Sequence, residues 1–241
     1  MAHDETDDTD EIDGVQAISA LGEPSRRSLY EAISRDGGWV SRDQAAAATG
    51  IERGAASHHL DRLAAEGLLE VEYRRLTGRS GPGAGRPSKL YRRAERDFDV
   101  SLPPRDYRLA GKLLARAVDA SRTTGADVVD ALAGEAAKEG ARWAEAIRSR
   151  LRGNRGRRIA ERRRALTETL DAQGFEPSTD DTGCVTLRNC PFDYLAGEHT
   201  DLICHMNLAL IRSTVTEVGR CGLTAELEPH DGRCCVTLHP R

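Results

Sequence analysis

Aromatic side chains and long apolar runs are both scarce in this chain of 241 residues. Phe, Trp and Tyr make up 4% of the residues, against 39% for all hydrophobic residues, so we expect a core of Ala, Leu and Val. No run of 18 or more apolar residues occurs, and the start has neither the basic region nor the apolar run of a secretory signal. These absences predict a cytoplasmic protein without membrane association.

Common catalytic signatures are also missing. The chain has no glycine-rich phosphate loop, no G-x-S-x-G and no H-E-x-x-H. An enzyme with Cys190 or Cys204 as nucleophile, beside His199 or His205, is a further interpretation, but a catalytic thiol would leave the N-terminal region unexplained. We therefore expect a protein that is not an enzyme.

Lys and Arg are absent from residues 1–13, which carry seven acids. A segment with this charge and few apolar side chains cannot bury enough surface to offset its ordering entropy. It is predicted to be a disordered tail. Although the whole chain has a net charge of -4, the remainder holds 35 basic and 32 acidic residues and is slightly basic.

Cysteine is absent from the first 183 residues, and all six cysteines then follow: Cys184, Cys190, Cys204, Cys221, Cys234 and Cys235. Thiols stay reduced in the cytoplasm, so metal ligands, redox sensors or buried apolar residues explain them better than disulfides do. The C-terminal region is therefore predicted to be chemically distinct.

Apolar spacing and cap residues predict three helices between residues 15 and 66. The first is interrupted near Gly22 and Pro24, with Ser25 as the cap of its second part. The next begins at Ser41, which has capping-box spacing to Gln44, and ends at Gly50.

The third helix is predicted over about Glu52–Glu66, with Ala56, Leu60 and Leu63 on its buried face. Two short strands follow, at residues 68–73 and 89–91, on either side of a loop rich in Gly, Pro and Arg. Three helices and a hairpin over residues 14–95 have the order of a winged helix-turn-helix, whose third helix enters the major groove of DNA.

Two motifs carry a resemblance over about residues 20–95. Residues 57–63 (SHHLDRL), with Gly67-Leu68-Leu69, resemble the recognition-helix signature of bacterial ArsR-type and MarR-type repressors. Residues 85–91 (GRPSKLY) resemble the wing of the iron-sulfur-sensing Suf-operon repressor group. The resemblance implies a regulator that binds double-stranded DNA.

Charge supports the same expectation independently. Residues 73–93 hold seven basic residues and no acid, and such uncompensated charges favour a polyanion partner. The small and polar residues on the outer face of the third helix permit close approach to phosphates and base edges. The predicted DNA-binding residues are Ser41, Arg42, Arg53, Ala55, Ser57, His58, His59, Arg62, Arg79, Arg86 and Lys89. For Arg62 a solvated surface role is equally open, and His59 can pack at the helix edge.

Residues 103–160 are predicted to be a helical linker and dimerisation region, because Ala and Leu recur there at helical spacing. Gly125 and Gly140 are its weak points. A dimer is expected since two related modules read two half-sites. Nine arginines between Arg148 and Arg164 are interpreted mainly as a solvated helix or linker.

Residues 161–241 are predicted to form a cysteine-rich α+β domain, a small antiparallel sheet with helices that include one from Asp201 to Val218. The fold class is therefore α+β. Residues 189–206 and 232–236 again resemble the Suf-repressor group, in which C-terminal cysteines ligate an iron-sulfur cluster that controls DNA binding. The resemblance implies Cys190 and Cys204 as ligands, with Cys234 or Cys235 as the last, while Cys221 departs from the spacing.

The residues alone leave the metal open, because soft thiolates select iron-sulfur clusters, zinc or Cu(I). Cys204 lies near a helix start, where the helix dipole is expected to favour the thiolate. Cys184, in an alternating strand, is interpreted as a buried apolar residue. We expect a homodimeric repressor that senses redox or cluster status, with a zinc site or a thiol switch as the alternative.

Overall fold

The computed structural model describes residues 14–75, 87–151, 158–230 and 232–241, so the acidic tail lies outside it. Within these ranges the chain is mixed α+β, with nine helices and two antiparallel sheets. It divides into two compact units, Met1–Val100 and Ser101–Arg241. The elements of the first are α1 (Gly14–Ala20), α2 (Pro24–Asp36), β1 (Val40–Ser41), α3 (Arg42–Thr49), α4 (Arg53–Ala65), β2 (Leu69–Arg74) and β3 (Ser88–Arg93).

The elements of the second unit are α5 (Tyr107–Thr124), α6 (Val128–Arg150), α7 (Ile159–Ala172), β4 (Pro177–Thr179), β5 (Val185–Leu187), α8 (Asp193–Glu198), α9 (Thr200–Val218), β6 (Leu223–Leu227) and β7 (Val236–Pro240). Every helix in the described ranges is too short or too polar to cross a membrane.

The core of the first unit lies between its helices and a three-stranded sheet of order β1-β3-β2. Strands β2 and β3 pair antiparallel from Leu69 opposite Arg93 to Arg74 opposite Ser88. Ala56, Leu60 and Leu63 of α4 are fully buried, which confirms the predicted inner face of that helix.

Cap residues fix the ends of these helices. Ser41 and Gln44 form the predicted capping box, and Gly50 ends α3 in the left-handed region with φ of 71°. The prediction of Ser25 as a cap is wrong. The carboxylate of Glu23 accepts hydrogen bonds from the backbone N–H groups of Ser25 and Arg26, since Pro24 already occupies the first helical position.

The second unit has a single core, in which α5, α6, α7 and α9 share buried residues with the sheet of order β4-β5-β7-β6. Phe175 is fully buried in this core, and its ring has edge contacts with the rings of Trp143 and Phe192. The helices predicted as a separate region over residues 103–160 therefore share one core with the cysteine-rich segment. The boundary between units lies earlier, after Val100.

Helices α6 and α9 approach each other closely at Gly140. A Cβ atom at this position would lie 2.1 Å from the carbonyl oxygen of Leu210, well inside contact distance. The helix continues through Gly140 to Arg150, so the predicted weak point is a packing position. Gly125, by contrast, ends α5 as predicted, with φ of 76°.

Candidate functional site

Four cysteines from three parts of the chain line one cavity of about 580 Å³ in the second unit. Cys190 follows β5, Cys204 lies in the first turns of α9, and Cys234 and Cys235 directly precede β7. All four side chains are mostly buried, and none is in a disulfide. The fold thus brings together the cysteines that the sequence analysis selected.

The four thiols affect one another's ionisation in the order Cys190, Cys234, Cys235, Cys204. The hydrogen bond with Cys234 lowers the pKa of Cys190. The hydrogen bonds with Cys204 and then Cys234 lower the pKa of Cys235 to about 4. The site therefore favours thiolates at Cys190 and Cys235, the ionisation state that binds metals.

The expectation of a thiolate at Cys204 is wrong. The pKa of Cys204 is raised, first by the interaction of its thiol with Cys235 and then by burial of its side chain. Cys204 is the fifth residue of α9, so it lies beyond the first turn, where the helix dipole acts most strongly.

The donor set suits a soft metal or cluster. Soft thiolate sulfur selects iron-sulfur clusters, zinc and Cu(I). Among the described residues, no three of these sulfurs lie within 4.8 Å of one another. The four residues that would hold such a group are Cys190, Cys204, Cys234 and Cys235.

Sequence reasoning missed Asn207, which contacts the site from within the core. Its side chain is 1% exposed, and Nδ2 donates a hydrogen bond to Cys234 Sγ at 3.1 Å. Asn207 lies three residues after Cys204 on α9, the spacing that places two side chains on one helix face. That spacing is the signal that was available in the sequence.

Arg105 and Asp106 hold the turn that carries Cys190. The Arg105 guanidinium donates to the carbonyl oxygen of Cys190 at 3.2 Å and to the Asn189 side chain. The backbone N–H of Asp106 donates to the carbonyl oxygen of Pro191 at 3.0 Å. These contacts span more than eighty residues of sequence, so no local pattern predicted them.

The other two cysteines lie outside the cavity lining. Cys221 is buried, and its Sγ lies 3.7 Å from the carbonyl oxygen of Val215. Cys184 is half-buried, with Sγ 3.8 Å from Nδ1 of His239. The structure thus separates Cys221 and Cys184 from the four converging thiols.

Five of the predicted DNA-binding residues surround a hollow of about 450 Å³ in the first unit, namely Ser41, Arg42, Arg53, Ser57 and Lys89. They come from α3, α4 and β3 and from the cap between β1 and α3. Asp43, Asp61, Tyr73 and Tyr91 share the same lining and were not predicted.

Carboxylates compensate several of the basic residues. Arg53 forms an ion pair with Asp43 at 2.5 Å, and Lys89 pairs with Asp61. Arg74 and Arg92 pair with Glu72 and Glu70 on the neighbouring part of the hairpin. The expectation of seven uncompensated charges over residues 73–93 is therefore wrong for Arg74, Lys89 and Arg92, because the acids come from β2 and α4.

The remaining predicted residues have different surroundings. Ala55 and His58 are exposed on α4. Arg62 is bound to Glu66 one turn later at 2.6 Å, and the side chain of His59 is 18% exposed beside Glu23. Arg79 and Arg86 lie outside the described residues.

Comparisons of the chain with protein-family models, with curated proteins and with solved structures found no match.

Proposed function

We propose that this protein is a homodimeric DNA-binding transcriptional repressor whose cysteine site holds an iron-sulfur cluster and senses its redox state or presence. The observation that carries the proposal is the convergence of Cys190, Cys204, Cys234 and Cys235 on one cavity. Their positions are far apart in sequence, so the fold itself assembles the four soft ligands.

The first unit supports the DNA-binding part of the proposal. Its α2, α3 and α4 precede an antiparallel hairpin, which is the order of a winged helix-turn-helix. Helix α4 exposes the small residue Ala55 beside His58, so a duplex can approach its backbone closely. Arg42, Arg53 and Lys89 surround the adjoining hollow and supply donors for phosphates.

Four cysteine sulfurs suit a polynuclear iron-sulfur cluster, with a single zinc ion as the alternative. Zn–S bonds of about 2.3 Å bring tetrahedral sulfurs to about 3.8 Å from one another. The four thiols do not form such a compact group of three. A cluster supplies one-electron redox chemistry when bound, while Asn207 offers an N–H to the Cys234 sulfur and Arg105 holds the Cys190 turn.

Anaerobic purification with iron and sulfide determination tests the cluster. We expect brown protein with iron, sulfide and visible charge-transfer absorption, and loss of all three in Cys190→Ser and Cys235→Ser. Cys221→Ala is the matched control, since Cys221 lies away from the cavity. Colourless protein without iron or sulfide, even after reconstitution, contradicts the cluster.

Mobility-shift assays at two salt concentrations test DNA binding separately. Phosphate contacts release counterions, so the affinity is expected to fall steeply as salt rises. Arg53→Ala and Lys89→Ala should each weaken binding and flatten this salt dependence. If the wild-type protein binds no duplex DNA at low salt, the DNA-binding proposal is contradicted, whatever metal the protein contains.

A thiol switch is a second candidate, favoured by the mutual effect of Cys190 and Cys234, and of Cys204 and Cys235, on their pKa values. Hydrogen peroxide would take two electrons from a thiol pair as one S–S bond forms and its O–O bond breaks, and the two thiol protons would end in the two water molecules produced. This candidate is favoured if the metal-free protein releases DNA on oxidation and binds DNA again after a reducing agent is added. Stoichiometric zinc without sulfide instead indicates a zinc site.

Exposed apolar residues on the central helices support the dimer. Val118 of α5 is 47% exposed, and Val128 and Val129 at the start of α6 are exposed to a similar degree. We expect light scattering to give twice the mass of 26.3 kDa for one chain. A monomer at assay concentrations contradicts the dimer.

A further inference from the structure

A second group of ligand atoms lies on the outer face of the C-terminal sheet. Side-chain atoms of Glu226, Glu228 and His239 all lie within 4.8 Å of one another. Glu226 and Glu228 share one face of β6 and its extension, because they are two residues apart. His239 reaches them from the neighbouring strand β7.

The ladder between the two strands holds this group in register. Glu226 lies opposite Thr237, and the N–H of Glu228 donates to the carbonyl oxygen of Cys235 at 2.7 Å, which extends the pairing beyond Leu227. His239 and Glu228 thus lie on opposite sides of Thr237 along the ladder. Thr237 is 2% exposed, so the strand residue between these side chains is buried.

Each ring nitrogen of His239 has a polar side-chain atom near it. Its Nε2 lies 2.9 Å from an oxygen of Glu228, and its Nδ1 lies 3.8 Å from Cys184 Sγ. The imidazole thus lies between a thiol and a carboxylate, with Nε2 directed to the Glu228 oxygen. A metal ion bound there would take Nε2 and the carboxylate oxygen as two of its ligands.

Charge and access both suit a cation. The group offers two acidic side chains and an imidazole, and the side chains of His239 and Glu228 are 34% and 41% exposed. Arg233 is the neighbouring positive group.

We propose that Glu226, Glu228 and His239 bind a divalent first-row transition-metal ion, at a site distinct from the four converging cysteines. One imidazole nitrogen and two carboxylate oxygens form a harder donor set than four thiolates. The two sites are therefore expected to prefer different ions. This proposal is independent of DNA binding and of the cluster.

Mn²⁺ is the probe that separates the two sites, because carboxylates bind it readily and soft thiolates select other metals. We expect the full-length protein to bind one Mn²⁺ per chain, measured as loss of the free-ion electron paramagnetic resonance signal. Glu228→Gln and His239→Gln should each weaken binding at least about tenfold. His58→Gln is the matched control and should bind as the wild type does.

Co²⁺ provides a second readout, because a given set of nitrogen and oxygen ligands binds Co²⁺ more tightly than Mn²⁺. In protein with Cys190→Ser and Cys235→Ser, bound Co²⁺ should show d–d bands without sulfur charge-transfer absorption. Thermal unfolding of each variant establishes that it is folded before titration. The proposal is overturned if neither ion binds at millimolar concentration, or if folded Glu228→Gln and His239→Gln proteins bind both ions unchanged.

Discussion

Asp61 connects helix α4 to the hairpin and competes for the positive charge of Lys89. Its carboxylate pairs with Lys89 and accepts a hydrogen bond from the Tyr91 hydroxyl at 2.7 Å. Burial opposes the shift, but the hydrogen bonds from Lys89 and Tyr91 outweigh it and lower the pKa of Asp61. Lys89 must leave this ion pair to contact a phosphate, so Asp61 is expected to limit DNA affinity.

The substitution Asp61→Asn tests this competition. Removal of the carboxylate charge should free Lys89 for a phosphate, raise DNA affinity and steepen the dependence of log K on log salt by about 0.9. Titrations at several salt concentrations measure both quantities. Asp119→Asn, on the exposed face of α5, is the control, and equal or weaker binding by Asp61→Asn would count against the competition.

Glu23 gives the first unit a defined acid sensitivity. Two backbone N–H groups, from Ser25 and then Arg26, lower its pKa from 4.5 to about 2. A group with a lowered folded pKa stabilises the native state above its unfolded pKa and loses that contribution as the pH falls. The contribution of Glu23 is therefore complete near neutral pH and disappears between about pH 4.5 and 2.

The substitution Glu23→Gln should lower the melting temperature at pH 7, and the difference from wild type should shrink as the pH falls through that window. Melting curves at a series of pH values measure it. Glu31→Gln removes only an exposed pair with Arg35 and serves as the comparison. A difference that stays constant down to pH 2 would show that the Glu23 charge is not responsible.

The contact of α6 with α9 is tested by two glycines of the same helix. Gly140→Ala places a Cβ against the Leu210 carbonyl and should destabilise the protein by about 1–3 kcal/mol. Gly134 is exposed with open space at its Cβ, so Gly134→Ala should stabilise it by about 0.5–1 kcal/mol. Urea unfolding gives both values, and equal effects of the two substitutions would rule out the close helix contact.

Local elements were the most predictable part of the fold. The Ser41–Gln44 capping box, the inner face of α4 and the extent of α9 all follow from interactions between residues three or four apart. Gly140 was misinterpreted, because a glycine inside a helix has the same sequence pattern whether it weakens the helix or admits a neighbour.

The candidate site was predictable only in its ligand types. The cysteines were selected from their clustering and from a resemblance, and the fold places four of them at one cavity. Asn207 and Arg105 contact that site across the tertiary structure, as Asp61 contacts Lys89 across 28 residues of sequence. Such partners depend on packing and leave no periodic signal.

Each unit of the whole molecule has its own hydrophobic core. We expect two unfolding transitions in the full-length protein, because two separate cores need not melt together. A ligand at the cysteine site, at about 100 times its Kd, should stabilise the second unit by about 2.7 kcal/mol and leave the other transition in place. Calorimetry measures both transitions, and one transition that moves as a whole would contradict this expectation.

The contacts of Arg105 and Asp106 with the Cys190 turn have a mechanical consequence. The chain leaves the first unit after Val100 and is fastened within a few residues to the carbonyl oxygens of Cys190 and Pro191. Asp106 caps the start of α5, so the residues that open this helix are anchored beside Cys190. A displacement of the Cys190 turn is therefore expected to move the first residues of α5 with it.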